Sequence, residues 1–351
     1  MQKKIIALAV AGLVSGAAFA QSNVTVYGSL DVNYTYSKAD KAKFSGMDSG
    51  GLNGNRVGFK GEEALGNGLK TIFTYEYGTA LNEDGGLASV RQAFVGLAGR
   101  FGSVTLGRQY APSGSYLGAT NANDITSVNP TNLMLGAKFN TLETGSGSRW
   151  NNSISYNSPN WSGLDMRAIY AFGNQVRDSA GDATTDGSKF GIGARYANGP
   201  LYLTAMYQTV LDNDGTTPLG VKQNTQGDKA WAIGGNYDFK VVKVFANYIR
   251  EKNDQTDIKQ TLWSLGLGVP VSAAGTIKAE YMQYKYDNSS SDKAKGFGIG
   301  YEHDLSKRTR LYGYVSRINN DDGVAWSYSK VAGFADGESN TNVQFGIRHF
   351  F

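Results

Sequence analysis

The stretch Val24-Thr25-Val26-Tyr27-Gly28-Ser29-Leu30-Asp31-Val32-Asn33-Tyr34 decides the fold. Val24, Val26, Leu30, Val32 and Tyr34 share one parity, and Thr25, Ser29, Asp31 and Asn33 share the other. Successive side chains of a strand point to opposite faces, whereas a helix would scatter both sets around its circumference. The segment therefore reads as a strand with one apolar and one polar face.

The same parity recurs outward from it. Val57 and Phe59 alternate with Arg56, Gly58 and Lys60, and Leu69, Thr71, Phe73, Tyr75 and Tyr77 alternate with Lys70, Thr74 and Glu76. Trp150, Ile154 and Tyr156 alternate with Arg149, Asn151, Ser153 and Ser155; Phe190, Ile192, Ala194 and Tyr196 with Lys189, Gly191, Gly193 and Arg195. Leu201, Leu203, Ala205 and Tyr207, then Trp231, Ile233 and Tyr237, then Phe297, Ile299 and Tyr301, and finally Val343, Phe345 and Ile347 follow the rule. Short connections are rich in turn formers: Leu65–Gly68, Gly99–Gly102, Pro159–Gly163, Asn198–Gly199 and Asp304–Lys307. Long polar connections cover residues 38–52, 110–148, 173–187, 211–228 and 319–339. Sixteen strand segments are expected, with short turns at one end and long loops at the other. Their uneven spacing argues against a solenoid or propeller, which would show a fixed repeat.

Beyond residue 20 no apolar run approaches the roughly 20 residues of a membrane helix. Glycine is abundant (46), proline scarce (6), and there are 21 tyrosines and 16 phenylalanines. Low mean hydropathy with many aromatics suits an all-β, antiparallel transmembrane barrel with lipid on one face and water on the other. Lys3 and Lys4, the apolar run Ile5–Ala18 and the sequence Ala18-Phe19-Ala20 have the form of a cleaved secretory signal. Residues 1–20 are thus expected to be a signal peptide and residues 21–351 a single barrel domain. Lys3 and Lys4 account for two of 34 basic residues, so the remainder is nearly balanced against 30 acidic ones. With no basic block, a nucleic-acid partner is not expected.

The chain has no cysteine, which excludes disulfides, thiolate metal sites and cysteine nucleophiles. Its two histidines, His303 and His349, accompany no nucleophile motif, so no enzyme is expected. Gly296-Phe297-Gly298-Ile299-Gly300 lacks dinucleotide-binding spacing and reads as a strand with small residues toward the lumen. Asp212, Asp214 and Asp228 lack EF-hand spacing and read as an ordinary loop. No cofactor is expected. The last strand ends on Phe351, in the apolar phase of Val343, Phe345 and Ile347. In a barrel this strand must pair with the first, because closure removes both edges. Phe351 is expected to serve assembly and to sit in an aromatic girdle.

Several segments together resemble one family, the general diffusion porins of Gram-negative bacteria, nearest to their beta-proteobacterial branch. They are Val24–Gly28, Arg56–Glu63 (RVGFKGEE), Arg91–Leu97 (RQAFVGL), Leu106–Tyr110 (LGRQY), Arg149–Tyr156 (RWNNSISY) and Phe351. The resemblance covers the whole chain after residue 20. It implies a sixteen-stranded barrel in the outer membrane, a homotrimer with one pore per subunit, and passive diffusion of small hydrophilic solutes and ions. It also implies that the third long loop, residues 110–148, folds inward against a basic wall to form the constriction.

Arg56, Lys60 and Arg149 lie on the polar parity of their strands and fit that wall. Arg91 shares parity with Ala93, Val95 and Leu97; only the resemblance places it in the lumen. Arg108 shares parity with Val104 and Leu106 and should face outward, toward a subunit contact. The loop's only acids, Asp124 and Glu143, are the expected opposite charges. Three arginines against two acids favour a mild anion preference. The nearest alternative is a substrate-specific channel, which would carry a binding track along the lumen.

Overall fold

The computed structural model describes residues 23–40, 42–83, 86–123, 126–134, 142, 146–177, 183–212, 227–254, 257–287, 292–331 and 335–351. Among these, sixteen antiparallel strands close into a barrel. They are β1 Asn23–Ala39; β2, in two segments, Ala42–Ser49 and Arg56–Gly66; β3 Leu69–Thr79; β4 Leu87–Gly99; β5 Gly102–Tyr110; β6 Arg149–Asn157; β7 Leu164–Ala171; and β8 Ser188–Asn198. Then follow β9 Leu201–Asp212, β10 Asp228–Asp238, β11 Lys243–Asn253, β12 Lys259–Pro270, β13 Gly275–Tyr286, β14 Lys293–Asp304, β15 Thr309–Asn320 and β16 Asn340–Phe350. Each strand pairs with its sequence neighbour, and β1 pairs with β16 from Ser29↔Phe350 to Ala39↔Asn340. Among the described residues no helix is long and apolar enough to cross a membrane.

Alternation governs the wall. Val24, Val26 and Leu30 are exposed on the outside, while Ser29, Asp31, Asn33, Thr35 and Ser37 are buried on the inside. Leu106, Ile233, Leu265, Phe297 and Phe345 continue the outer apolar surface around the barrel. A soluble protein rarely exposes so continuous an apolar belt; lipid is the solvent that accepts it. Phe101, Trp161, Phe239 and Phe351 are exposed beside the short-turn end, where amphipathic and aromatic side chains form a girdle.

Residues 38–52 are not one long loop. β1 runs to Ala39, and the first segment of β2 begins at Ala42. Parity inverts there: Lys43 and Ser45 point out, and Phe44 turns in against Tyr328, with ring centroids 5.8 Å apart. The segment's outside is mostly polar, with Met47 the one exposed apolar side chain, and its inside is covered by the connection after β15. β2 is then broken at residues 50–55 before resuming at Arg56, and both segments pair with β1. In the connection after β7, Asn174–Arg177 pairs with Ala183–Asp186 as a separate two-stranded hairpin.

The lumen is not uniformly polar. Met206, Ile249, Leu262, Met282 and Ile318 point inward and pack with Leu117, Met134, Val324 and Trp326 from two connections that fold inside. This apolar cluster seats the connection between β5 and β6 inside the barrel.

Candidate functional site

The connection between β5 and β6 turns inward at Ala111 and carries two short helices, α1 Pro112–Tyr116 and α2 Pro130–Met134, with a 3-10 turn at Gly118–Thr120. Its path is fixed by room and by hydrogen bonds. Inward glycines leave space for it: a Cβ on Gly193 would lie 2.8 Å from Pro112, one on Gly266 2.5 Å from Ala122, and one on Gly296 would overlap Pro130. This is the use of the small lumen-facing residues in Gly296–Gly300. The Ser113 amide donates to Gln208 Oε1 at 2.8 Å, Asn236 Nδ2 donates to the Ala119 carbonyl at 2.7 Å, and Ser316 Oγ donates to the Val128 carbonyl at 2.7 Å. The loop is thus stitched to strands from β9 round to β15.

Glu280 on β13 is the strongest single stitch. Its carboxylate is buried and accepts from Thr131 Oγ1 at 2.9 Å, the Asn123 amide at 3.3 Å and Asn129 Nδ2 at 3.4 Å. No ion pair to it occurs among the described residues. A buried carboxylate needs its lone pairs filled, and here the loop fills them.

Most of the residues singled out in the sequence meet on the opposite arc. Lys60 Nζ lies 5.2 Å from the centroid of the Tyr27 ring. Tyr27 Oη donates to Glu76 Oε2 at 2.9 Å, and Arg91 Nε donates to Glu76 Oε1 at 2.8 Å. Arg91 Nη2 donates to Tyr110 Oη at 2.8 Å, and the Arg149 guanidinium lies 5.6 Å from the centroid of the Tyr110 ring. Lys60, Tyr27, Glu76, Arg91, Tyr110 and Arg149 therefore form one continuous chain. Arg56 sits on the same inner face as Lys60, paired with Ser29 on β1 and Gly78 on β3.

Arg91 reaches the lumen through a break in register. β4 pairs Gln92 with Glu76 but Val90 with Tyr77, so Arg91 is an extra residue. A β-bulge re-aims the side chain it carries, which is why parity alone assigns Arg91 to the wrong face. A second bulge lies in β6, where Gly107 pairs with Ser153 and Gln109 with Trp150, and Asn152 takes φ +47°. It turns Trp150 inward, against the expectation that it shares a face with Ile154 and Tyr156. Trp150 is buried with Ala111, Ile169 and Ala171, and Lys189 Nζ lies 5.8 Å from its ring centroid. Arg108 keeps the parity of Leu106 and faces outward. Its Nε donates to the Val90 carbonyl at 2.8 Å and its Nη1 to the Arg149 carbonyl at 3.2 Å. It ties the two bulges together.

Sequence parity also passed over several inward groups. Arg167 donates to the Tyr110 carbonyl at 3.0 Å and to Ser115 Oγ at 2.5 Å, fixing the start of the loop. Arg195 pairs with Asp165 at 2.5 Å, and Tyr116 Oη donates to the same carboxylate at 2.9 Å. Both arginines alternate with Leu164, Met166, Ile192 and Ala194, so the signal was present in their strands. Asp124, Glu143 and Asp214 lie outside the described residues, as do residues 1–20. Asp228 is buried and accepts from Asn253 Nδ2 at 2.6 Å. At the closing seam, Phe351 and Gly28 exchange backbone hydrogen bonds of 3.1 and 3.2 Å, and the Phe351 ring covers Gly28 so closely that a Cβ there would overlap it.

A space of about 260 Å³ lies between Gly114, Ser115, Gly118 and Ala119 of the loop and Leu52, Asn53 and Arg348 of the facing wall. The loop's edge here is small and uncharged. Toward the short turns, a wider space of about 580 Å³ is flanked by Lys240, Lys243 and Lys278.

A family model described as Gram-negative porin matches residues 7–323. The chain belongs to the Gram-negative porin family. Among curated relatives, outer membrane porin protein 32 of Delftia acidovorans is 35% identical with both chains fully covered. An outer membrane porin protein of Bordetella pertussis is 29% identical, again over the whole of both chains. Among solved structures, the anion-selective porin from Comamonas acidovorans superposes with a TM-score of 0.79 at 30% identity, covering 94% of this chain and 100% of its own. The porin is accordingly an outer-membrane β-barrel, and its lumen is a passive diffusion channel.

Proposed function

We propose that this porin passes small hydrophilic solutes with a preference for anions, and that Arg56, Lys60, Arg91 and Arg149 set the field at its constriction. One observation carries the reading, an imbalance in pairing. The inward carboxylates Asp31, Glu76, Asp165, Glu280 and Glu302 are each engaged by a base, a phenol or loop hydrogen-bond donors. Arg56, Lys60, Arg149, Arg167 and Lys243 make no ion pair among the described residues. Acidic charge is consumed in holding the structure, and basic charge is left to act on the water. Opposed or one-signed charge in a narrow, low-dielectric passage focuses its field on whatever passes. The Comamonas relative is itself described as anion-selective.

The porin assembles, on this reading, as a homotrimer with one pore per subunit, and residues 1–20 direct its export. Zero-current potentials across a planar bilayer in a tenfold KCl gradient test the preference. The sign expected is that of chloride permeation, and R56Q/R91Q/R149Q should move it toward zero. A cation-signed potential for the unaltered protein overturns the proposal. Three equal conductance steps per insertion are expected of the trimer, and single steps would contradict it.

A further inference from the structure

We propose that residues 50–55, the break in β2, form a second constriction element latched on Asp31, and that Asn53 and Arg348 are its pore-facing lip, with the Leu52 side chain buried beneath them as an anchor. The segment does not leave the barrel. It bends inward and is held by the buried Asp31 carboxylate. Asp31 is fully buried; its Oδ2 accepts from the Leu52 amide at 2.8 Å, and its Oδ1 accepts from the Gly51 amide at 3.1 Å and from Tyr312 Oη at 2.6 Å. Asn55 completes the latch on the Asp31 backbone, donating from Nδ2 to its carbonyl at 2.9 Å and accepting from its amide at 2.6 Å.

From this anchor the segment bridges the inward loop and the basic wall. The Ser127 amide of the constriction loop donates to the Gly51 carbonyl at 2.7 Å. On the other side, a Cβ on Gly54 would lie 3.1 Å from Arg91 Nη1, so the segment rests on the basic wall. Leu52, Asn53 and Arg348 then stand across the 260 Å³ space from Gly114, Ser115, Gly118 and Ala119. Arg348 lies on β16 directly opposite Asp31 on β1 and opposite Arg310 on β15. With the loop's edge small and uncharged, width and charge on this side of the waist are set by the second lip. Asp31 acts as a positioning residue, and Arg348 as a specificity-determining one.

The proposal rests on the chain being an open pore but not on the sign of its ion preference, so two readouts are kept apart. Single-channel conductance and exclusion of neutral polymers of graded size report width; zero-current potential reports charge. D31A should unlatch the segment, raise conductance by roughly 1.5- to 2-fold and admit larger polymers, with D31N intermediate. N53W leaves the latch intact and should lower conductance about twofold. R348Q should shift the zero-current potential toward cations with little change in polymer cut-off. Unchanged conductance and cut-off in N53W and D31N, in protein that still migrates as a folded barrel, overturns the second lip. An R348Q channel with an unshifted potential overturns the role of Arg348. If instead the unaltered protein proves cation-preferring, the basic-wall reading fails while the width results stand.

Discussion

Arg91 shows most clearly how a single residue here serves structure and field together. It neutralises Glu76, whose side chain is only 4% exposed, and it organises Tyr110 beneath Arg149. Removing one partner of a buried pair leaves the other charge uncompensated, at a cost of about 3 kcal/mol or more. R91A should therefore lower the unfolding midpoint in detergent as well as weaken anion preference. R91A/E76Q, which removes the pair without changing the net charge, should recover most of the stability and much of the preference, as read by heat-modified gel mobility and zero-current potential. If the double variant is no more stable than R91A, the pair does not hold the wall. Sequence alternation puts Arg56 and Lys60 on the inner face but misses the inward turn of Arg91, because a bulge is written in the pairing of β4 with β3 rather than in β4 itself. Trp150 was misplaced for the same reason.

Among the elements, the strands were legible because each alternates on its own, without reference to its neighbours. The inward loop and the break in β2 were not, since their folded paths depend on contacts far away in sequence, such as Thr131 with Glu280 and Gly51 with Ser127. Replacing Glu280 tests that dependence. E280A should leave barrel folding intact, yet single-channel records should become noisy with brief partial closures, as an unstitched loop moves through the lumen. Quiet records of unchanged amplitude would show that the remaining hydrogen bonds suffice. The turn between β11 and β12 offers a pH test outside the membrane. A hydrogen bond from Lys229 holds the Asp254 carboxyl below its usual range, and one from Lys252 does the same for Asp257. Both carboxyls are depressed, so their contribution is present above the ordinary carboxylate pKa and is lost as pH falls through their folded values. Amide exchange at residues 252–254 and 257–259, corrected for intrinsic rates, should stay slow at neutral pH and quicken in acid. A pH-independent protection would exclude these ion pairs as its source.

For the whole molecule, closure and contents follow from one alternation of parity. Apolar residues outside require lipid, polar residues inside admit water, and the β1–β16 seam removes the last free edges. Gly28 lies at that seam under Phe351, so G28V should slow or abolish folding into detergent micelles, and G28V/F351A should partly restore it. On the proposed reading, the inward bases that make no ion pair among the described residues give the closed molecule a fixed positive interior, and conductance of the unaltered protein as a function of KCl concentration tests this most directly. The Debye length grows from about 3 Å at 1 M salt to about 30 Å at 0.01 M. In concentrated salt, conductance should follow the bulk solution, as a wet pore requires. In dilute salt it should level off, because fixed charges keep chloride in the lumen when the bath no longer supplies it. A conductance that falls in strict proportion to KCl down to the lowest concentration would contradict a charged waist, and the absence of conductance steps at any concentration would contradict the open pore.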